Sequence, residues 1–412
     1  MIKILLVDDD SEKHRVITKV VLEVPGIEDD SIDHVYDVVA AKKAIRSNRY
    51  DLVILDINLA RNSNSGPEVG AGLDVLHFIK NNNHAKRPGC LFGLTAFDDG
   101  AEIAASEFSS PLWKLMRFSY TELSWCQPLK EALIYLQELN KPPFTNDGKN
   151  YHYDLAIFTA IQEELDSLLS LSSWTKITVP YDHADYYETI LQGPDGSLKA
   201  VATVAPRMGM PSAAVSSSKL IHNFRPKYLA IVGICAGVRG KSELGDILIA
   251  DPCFDWGSGK WQRETESGVL RFRPATYQWR LDESLRAAAK SVASDEKFLR
   301  DLHYNYEGKK PTQRPEVHIE AMASGASVLQ ATSLMEDVRD LHKNLVGVEM
   351  ESYAVFTAAQ HAAEPRPLCI SVKSVCDFGD ETKSDDVHHY AAHTSSAFLI
   401  QLAKLALVEP TI

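Results

Sequence analysis

Short apolar runs that each stop on a carboxylate or a hydroxyl restrict the fold of this chain more than any other feature. Lys3–Val7 stops at Asp8-Asp9-Asp10, Leu52–Leu55 runs into Asp56, and Cys90–Leu94 runs into Thr95. A short apolar run without alternation reads as a strand covered on both faces, the condition of a parallel sheet flanked by helices. Helical periodicity separates the first two runs, over Glu12–Val24 through Val16, Val20, Val21 and Val24. The pattern returns further on, in Asp154–Ile161, Leu229–Val238 and Leu368–Val375. An α/β chain follows, and its 412 residues are too many for one ordinary domain. Pro, Gly, Asn and Asp cluster from Lys141-Pro142-Pro143 to Asn150, after the helix-like Leu129–Leu139. Such a cluster marks a break. The expected organisation is a domain over 1–140, a linker over 141–152 and a second domain over 153–412.

Composition removes several functions. A net charge of −13 argues against a nucleic-acid surface, which needs a basic footprint. The six cysteines are scattered, with no CxxC pair, so they read as reduced thiols of a cytoplasmic protein. No signal peptide and no membrane-spanning run is read.

In the first domain, acids at the carboxyl ends of parallel strands converge on the crevice where such sheets bind ligands. Close carboxylates repel and will accept a divalent cation, with hard oxygen ligands suited to Mg²⁺. These residues resemble the receiver domain of response regulators. The resemblance implies a five-stranded, doubly wound (flavodoxin-like) fold, with Asp8, Asp9 and Asp56 around Mg²⁺. It makes Asp56 the phosphoacceptor and Thr95 the switch hydroxyl. The Lys-Pro pair that the family carries after its fifth strand is missing from Leu112–Ser119, which leaves Lys114 or Arg117 to supply the cation. Arg61–Gly70, rich in Asn, Ser and Gly, forms a long loop after the phosphoacceptor strand.

In the second domain, Val346–Phe356 places Glu349 and Glu351 either side of Met350, where an apolar run meets a helical pattern. An acid pair is costly to bury without donors, and sugar hydroxyls are such donors. A plain alternative is a helix N-terminus attracting negative charge. Thr159–Glu164, Arg207–Ser212, Gly233–Gly237, Val348–Ser352 and Ser374–Asp377 follow in order, and together they resemble the purine nucleoside phosphorylase and nucleosidase superfamily. That resemblance implies a central mixed sheet, partly closed as a barrel and wrapped by helices. It implies Asp377 as the acid on adenine N7, Glu164 as the base that activates water, and Glu351 on the ribose hydroxyls with Met350 against the sugar. Glu349, Cys235 and Gly237 fall on the pocket wall, and Val328 and Leu329 frame the base. Phosphorylases of the family carry an Arg before the central Gly-Ser. Here Ala230–Cys235 has neither that cation nor the Ser, so hydrolysis is expected.

Trp256, Lys260, Arg263, Arg271 and Arg273 crowd the segment Asp255–Arg280 of this acidic chain, and Arg207 and Lys219 add two more cations on a segment expected to face the pocket. A solvated loop or a 5′-phosphate pocket accounts for them; arginine suits the second through bidentate contacts. The pairing of domains resembles the effector of defensive two-component (Detocs) antiphage systems. It implies phosphorylation by a histidine kinase, a homo-oligomer, and cleavage of ATP (and dATP) to adenine and a (deoxy)ribose triphosphate, with no cofactor for that cleavage. The rivals are a methylthioadenosine/adenosylhomocysteine-type nucleosidase under receiver control and a non-catalytic nucleotide sensor.

Overall fold

The computed structural model describes residues 2–96, 104, 107–108, 113–263, 270–327, 332–381 and 386–407. The chain divides into two compact units between Lys141 and Pro142. Five strands form the N-terminal sheet: β1 (Ile4–Val7), β2 (Ile32–Val35), β3 (Leu52–Leu55), β4 (Cys90–Thr95) and β5 (Trp113–Arg117). All neighbours are parallel, in the order β2-β1-β3-β4-β5. The pleat sends Ile4 and Leu6 into one core with α1 (Ser11–Leu22) and α4 (Cys126–Leu139). It sends Leu5 and Val7 into another with α2 (Val38–Ser47) and α3 (Leu73–Asn81). Both faces are thus covered, as the unbroken apolar runs require. The winding reverses between β1 and β3, which puts Asp8, Asp9 and Asp56 at the switch point.

The expected stripe of α1 packs into the core at Val20, Val21 and Val24, with Val16 against it, and the buried face is wider than that stripe. Lys13, His14, Ile17, Val20 and Val21 are its buried residues, and Val16 is only half-buried. Asp10 caps the helix by accepting from the amides of Glu12 and Lys13, and the Lys13 side chain is buried. The long loop after β3 contains a short ladder, Leu59–Ala60 against Pro67–Glu68, held by an Arg61–Glu68 ion pair.

The C-terminal unit is built on β6 (Tyr153–Thr159), β7 (Tyr186–Gly193), β8 (Gly196–Val204), β9 (Pro226–Gly237), β10 (Ile247–Asp255), β11 (Val317–Ser324), β12 (Leu345–Glu349) and β13 (Leu368–Asp377). β10, β11, β12, β9 and β13 pair successively, and β13 returns to β10, so five strands close into a ring. From β9 the sheet continues through β6, β8 and β7. Among the helices that flank it are α5 (Gln162–Leu169), α6 (Met210–Phe224), α7 (Ser352–Gln360) and α8 (His388–Leu402). Closure is a long-range property of register, and the linear pattern carries only the strands that make it.

The segment expected as a linker is largely part of this unit. Phe144 is buried in its core, donates its amide to the Asn223 carbonyl at 3.1 Å and stacks on His152 at 4.2 Å. No described helix is long and apolar enough to cross a membrane.

Candidate active site

β6 ends at Thr159, and α5 begins two residues after Ala160. Glu164, in the first turn of α5, bends back so that Oε2 accepts from the amides of Ala160 (2.7 Å) and Ile161 (3.1 Å). This is capping geometry. The other oxygen crosses to β9, where the Ile234 amide donates to Oε1 at 2.9 Å. Gly233 makes that approach possible. Its φ is +152°, and a Cβ there would overlap the Glu164 carboxylate. A capping role and a place on the cavity wall therefore belong to the same side chain.

The two acids beside Met350 separate in function. Glu349 accepts from the amides of Glu351 (3.0 Å) and Ser352 (2.8 Å) and from the Ser324 hydroxyl. It caps α7, so the plain helix-terminus reading describes Glu349 well. Glu351 Oε1 takes one amide, that of Gly209, at 2.8 Å. Burial pushes its carboxyl up to about 7, against the pull of Lys373 and with the help of Glu349 and Glu164.

Sequence reasoning missed Lys373. It lies on β13 opposite Gly233 and is fully buried. Its ammonium stands 3.6 Å from Glu351 Oε2, 3.7 Å from Glu349 Oε2 and 4.0 Å from Glu164 Oε1. It makes no hydrogen bond to protein atoms. Burial alone would lower its pKa, but the three carboxylates outweigh burial, raise it and keep the ammonium charged. A lone cation inside the apolar run Leu368–Val375 was a readable signal, because a buried charge needs partners.

At the end of β13, Asp377 Oδ1 accepts from the Gly379 amide at 2.7 Å, and the Cys376 thiol lies 3.4 Å from Oδ2. His388, from the start of α8, joins them, with the three ligand-type atoms within 4.8 Å of one another. Glu164, Cys235, Glu349, Met350, Glu351, Asp377 and His388 all line one cavity of about 320 Å³. Burial pushes the Cys235 thiol well up, which fits a wall residue and not a nucleophile.

Other expected site residues fall elsewhere. Val328 and Leu329 lie outside the described residues. A Cβ at Gly237 would press on Ser242 and Val375, so this glycine serves packing behind the wall. Arg207 is exposed, and it is the neighbouring Met208 that lines the cavity. Arg271 and Arg273 sit on a separate hairpin, Gly259–Arg263 against Leu270–Pro274. Strand alternation puts them on its face opposite Phe272, and both are exposed. Among the described residues lining the cavity there is no Arg or Lys, so the expected 5′ cations are not assembled there.

The N-terminal unit holds a second cluster. Carboxylate oxygens of Asp8, Asp9 and Asp56 lie within 4.8 Å of one another. Burial raises Asp9, and repulsion from Asp8 adds to it. Burial likewise pushes Asp56 up to about 6, opposed by Lys13 and reinforced by Asp8. Excess negative charge on hard oxygen donors fits a divalent cation, and Asp8, Asp9 and Asp56 would hold it. Thr95 is buried at the end of β4. The cation at Asp56 is neither Lys114 nor Arg117. Lys114 is exposed and paired with Phe92, and Arg117, level with Thr95, is also exposed. Lys13 of α1 fills that place, 2.7 Å from both Asp56 Oδ2 and Asp8 Oδ2.

The phosphorylase superfamily model matches residues 154–407. The chain is 28% identical over 407 residues to a protein of Sinorhizobium fredii named "Uncharacterized protein y4jS", covering 97% of this chain and 98% of that one. It is 26% identical over 223 residues to the ATP nucleosidase Cap17 of Escherichia coli, covering 52% of this chain and 43% of that protein. A 5′-methylthioadenosine/S-adenosylhomocysteine nucleosidase of Marinomonas is 27% identical over 209 residues, 50% of this chain and 81% of that one. Among solved structures, the futalosine hydrolase of Helicobacter pylori aligns with TM-score 0.48 and 19% identity, covering 61% of this chain and 97% of that one. With its C-terminal unit matched almost from end to end, the chain belongs to the phosphorylase superfamily.

Proposed function

We propose that the C-terminal unit is an N-glycosidase that hydrolyses the C1′–N9 bond of an adenine nucleotide, ATP foremost and dATP with it. The observation that carries this reading is the gathering of Glu164, Glu351 and Asp377 on one cavity, with the Lys373 ammonium beside the first two. As the C1′–N9 bond breaks, its electron pair goes to the purine, and Asp377 delivers a proton to N7. A purine anion leaves poorly, so that proton lowers the barrier. Positive charge develops on the ribose and is met by the carboxylates of Glu351 and Glu164. Water forms the new bond to C1′ and yields its proton to Glu164. The products are adenine and a (deoxy)ribose triphosphate, with no cofactor in that step. The similarity to an ATP nucleosidase supports this substrate.

A second reading has its own observation. The described cavity wall lacks Arg and Lys, which suits a 5′-thioether nucleoside as well as a phosphate chain. The test is to incubate the purified chain with ATP, AMP, adenosine, methylthioadenosine and inosine and to follow free base by chromatography. Adenine from ATP supports the first reading. Adenine from methylthioadenosine alone shifts the assignment to the second, and no base from any of them removes both.

For the N-terminal unit the reading is a receiver that takes a phosphoryl group on Asp56 from a histidine kinase. Asp8 and Asp9 would share Mg²⁺ with Asp56, and the ion would neutralise the incoming phosphoryl oxygens. Thr95 is the switch hydroxyl. Phosphorylation then raises nucleosidase activity by shifting the assembly of a homo-oligomer in the cytoplasm, as an antiphage effector that depletes ATP.

A further inference from the structure

Lys13 lies on the apolar stripe of α1, four residues before Ile17, yet it is 2% exposed and its side chain turns into the Asp8–Asp56 crevice. Its ammonium donates to Asp56 Oδ2 at 2.7 Å and to the Leu94 carbonyl at 3.1 Å, and it pairs with Asp8 Oδ2 at 2.7 Å. Two of the ammonium's donors are thus spent on hydrogen bonds, and its charge is shared between the two carboxylates. No strand-end lysine from β5 reaches Asp56, because Lys114 points to solvent three residues before the level of Thr95. The Phe118 ring, just beyond β5, packs over the Lys13 ammonium at 5.3 Å instead.

We infer that Lys13 is the positioning cation for a phosphoryl group on Asp56, supplied by the first helix in place of the missing lysine after the fifth strand. This rests on the reading of Asp56 as a phosphoacceptor. In the unmodified chain Lys13 neutralises Asp56 and Asp8 and so competes with a divalent cation for the same two carboxylates. When a phosphoramidate donates, an Asp56 Oδ–P bond forms and the donor's P–N bond breaks, with the amine leaving protonated. One carboxylate oxygen becomes the acyl bridge and loses its charge. The ammonium then moves from that oxygen to a phosphoryl oxygen, and Asp8 would be left to hold a divalent cation. Lys13 therefore has opposite effects on its two ligands: it weakens metal binding before phosphorylation and favours the phosphorylated state.

The test uses the full chain with Lys13→Met, which keeps the length and removes the charge, and Lys13→Arg, which restores the charge. Mg²⁺ affinity is measured by calorimetry, and the phosphoryl group is followed by intact mass with phosphoramidate as donor. Lys13→Met should bind Mg²⁺ about tenfold more tightly and gain the phosphoryl group at least about tenfold more slowly, the scale of one charge-assisted contact. Lys13→Arg should recover much of the phosphorylation rate, while Lys114→Ala and Arg117→Ala behave as wild type. A purely structural role would weaken both properties together, and that result overturns the inference, as does wild-type phosphorylation of Lys13→Met. Loss of phosphorylation in Arg117→Ala or Lys114→Ala, with Lys13→Met unaffected, gives the role to strand β5. If the wild type gains no phosphoryl group while Asp56→Asn behaves identically, the phosphoacceptor reading itself falls and takes this inference with it.

Discussion

The carboxylates of the cavity differ in their partners, and those partners set their roles. Both Glu349 and Glu351 lie near the Lys373 ammonium, but Glu349 accepts from two amides and the Ser324 hydroxyl, whereas Glu351 accepts from a single amide. With burial holding its carboxyl up to about 7, Glu351 is protonated in the free enzyme below that pH and charged above it. The charged form is the one that accepts from ribose hydroxyls. kcat/KM should therefore rise with pH through about 7, since that ratio follows the free enzyme. In Glu351→Gln the slower residual activity should lack this limb; an unchanged limb would assign it to another group. Asp377→Asn can still donate to N7 but has no acid proton to transfer. Its kcat should fall by at least about a hundredfold with KM little changed, the pattern of an interaction made in the transition state. Near-normal turnover would remove Asp377 as the acid. The acids themselves were legible in the sequence, because each stands where an apolar run stops. Which of Glu349 and Glu351 would cap a helix was not, since that depends on which amides the fold turns toward each.

Among the elements, β9 and β13 matter most to the cavity, because they put Gly233 and Lys373 level with one another behind the acids. Gly233 is a glycine for a local reason: its positive φ and the carboxylate of Glu164 both exclude a Cβ. Gly233→Ala should push Glu164 aside and lower kcat by about a hundredfold, the scale of an ångström-sized misplacement, while circular dichroism remains that of a folded protein. Full activity would mean that Glu164 need not sit where β9 holds it. Helix α1 teaches a related lesson. The stripe through Val16, Val20, Val21 and Val24 packs into the core as expected but leaves out Lys13, which is buried on the same helix. A lysine in register with Ile17, Val20 and Val21 was visible in the sequence, but its target lay on strands distant in the chain. The cation-rich hairpin is absent from the described lining of the cavity. Local charge density carries no information about which face the hairpin turns to the cavity.

For the whole molecule, the division into two units and the class of each followed from the spacing of apolar runs and the proline-rich break. Ring closure did not, because it needs β13 to pair with both β9 and β10. The burial of Phe144 shows why composition alone misplaces a linker: an aromatic residue within a polar stretch can anchor it to one unit. The proposed control by Asp56 is tested on the intact chain. A phosphodonor with Mg²⁺ should raise base release by the wild type and change its sedimentation profile, and Asp56→Ala should show neither response. An equal response in Asp56→Ala would place control elsewhere.

The proposed reaction has water, activated at Glu164, release adenine from the cavity of the C-terminal unit. The most direct measurement is the rate of adenine release from ATP by the full chain in phosphate-free buffer, repeated with added phosphate and with Glu164→Gln. The rate should be the same with and without phosphate and at least about a hundredfold lower in Glu164→Gln, the usual scale for loss of a general base. Strict dependence on phosphate, or full activity in Glu164→Gln, would contradict it.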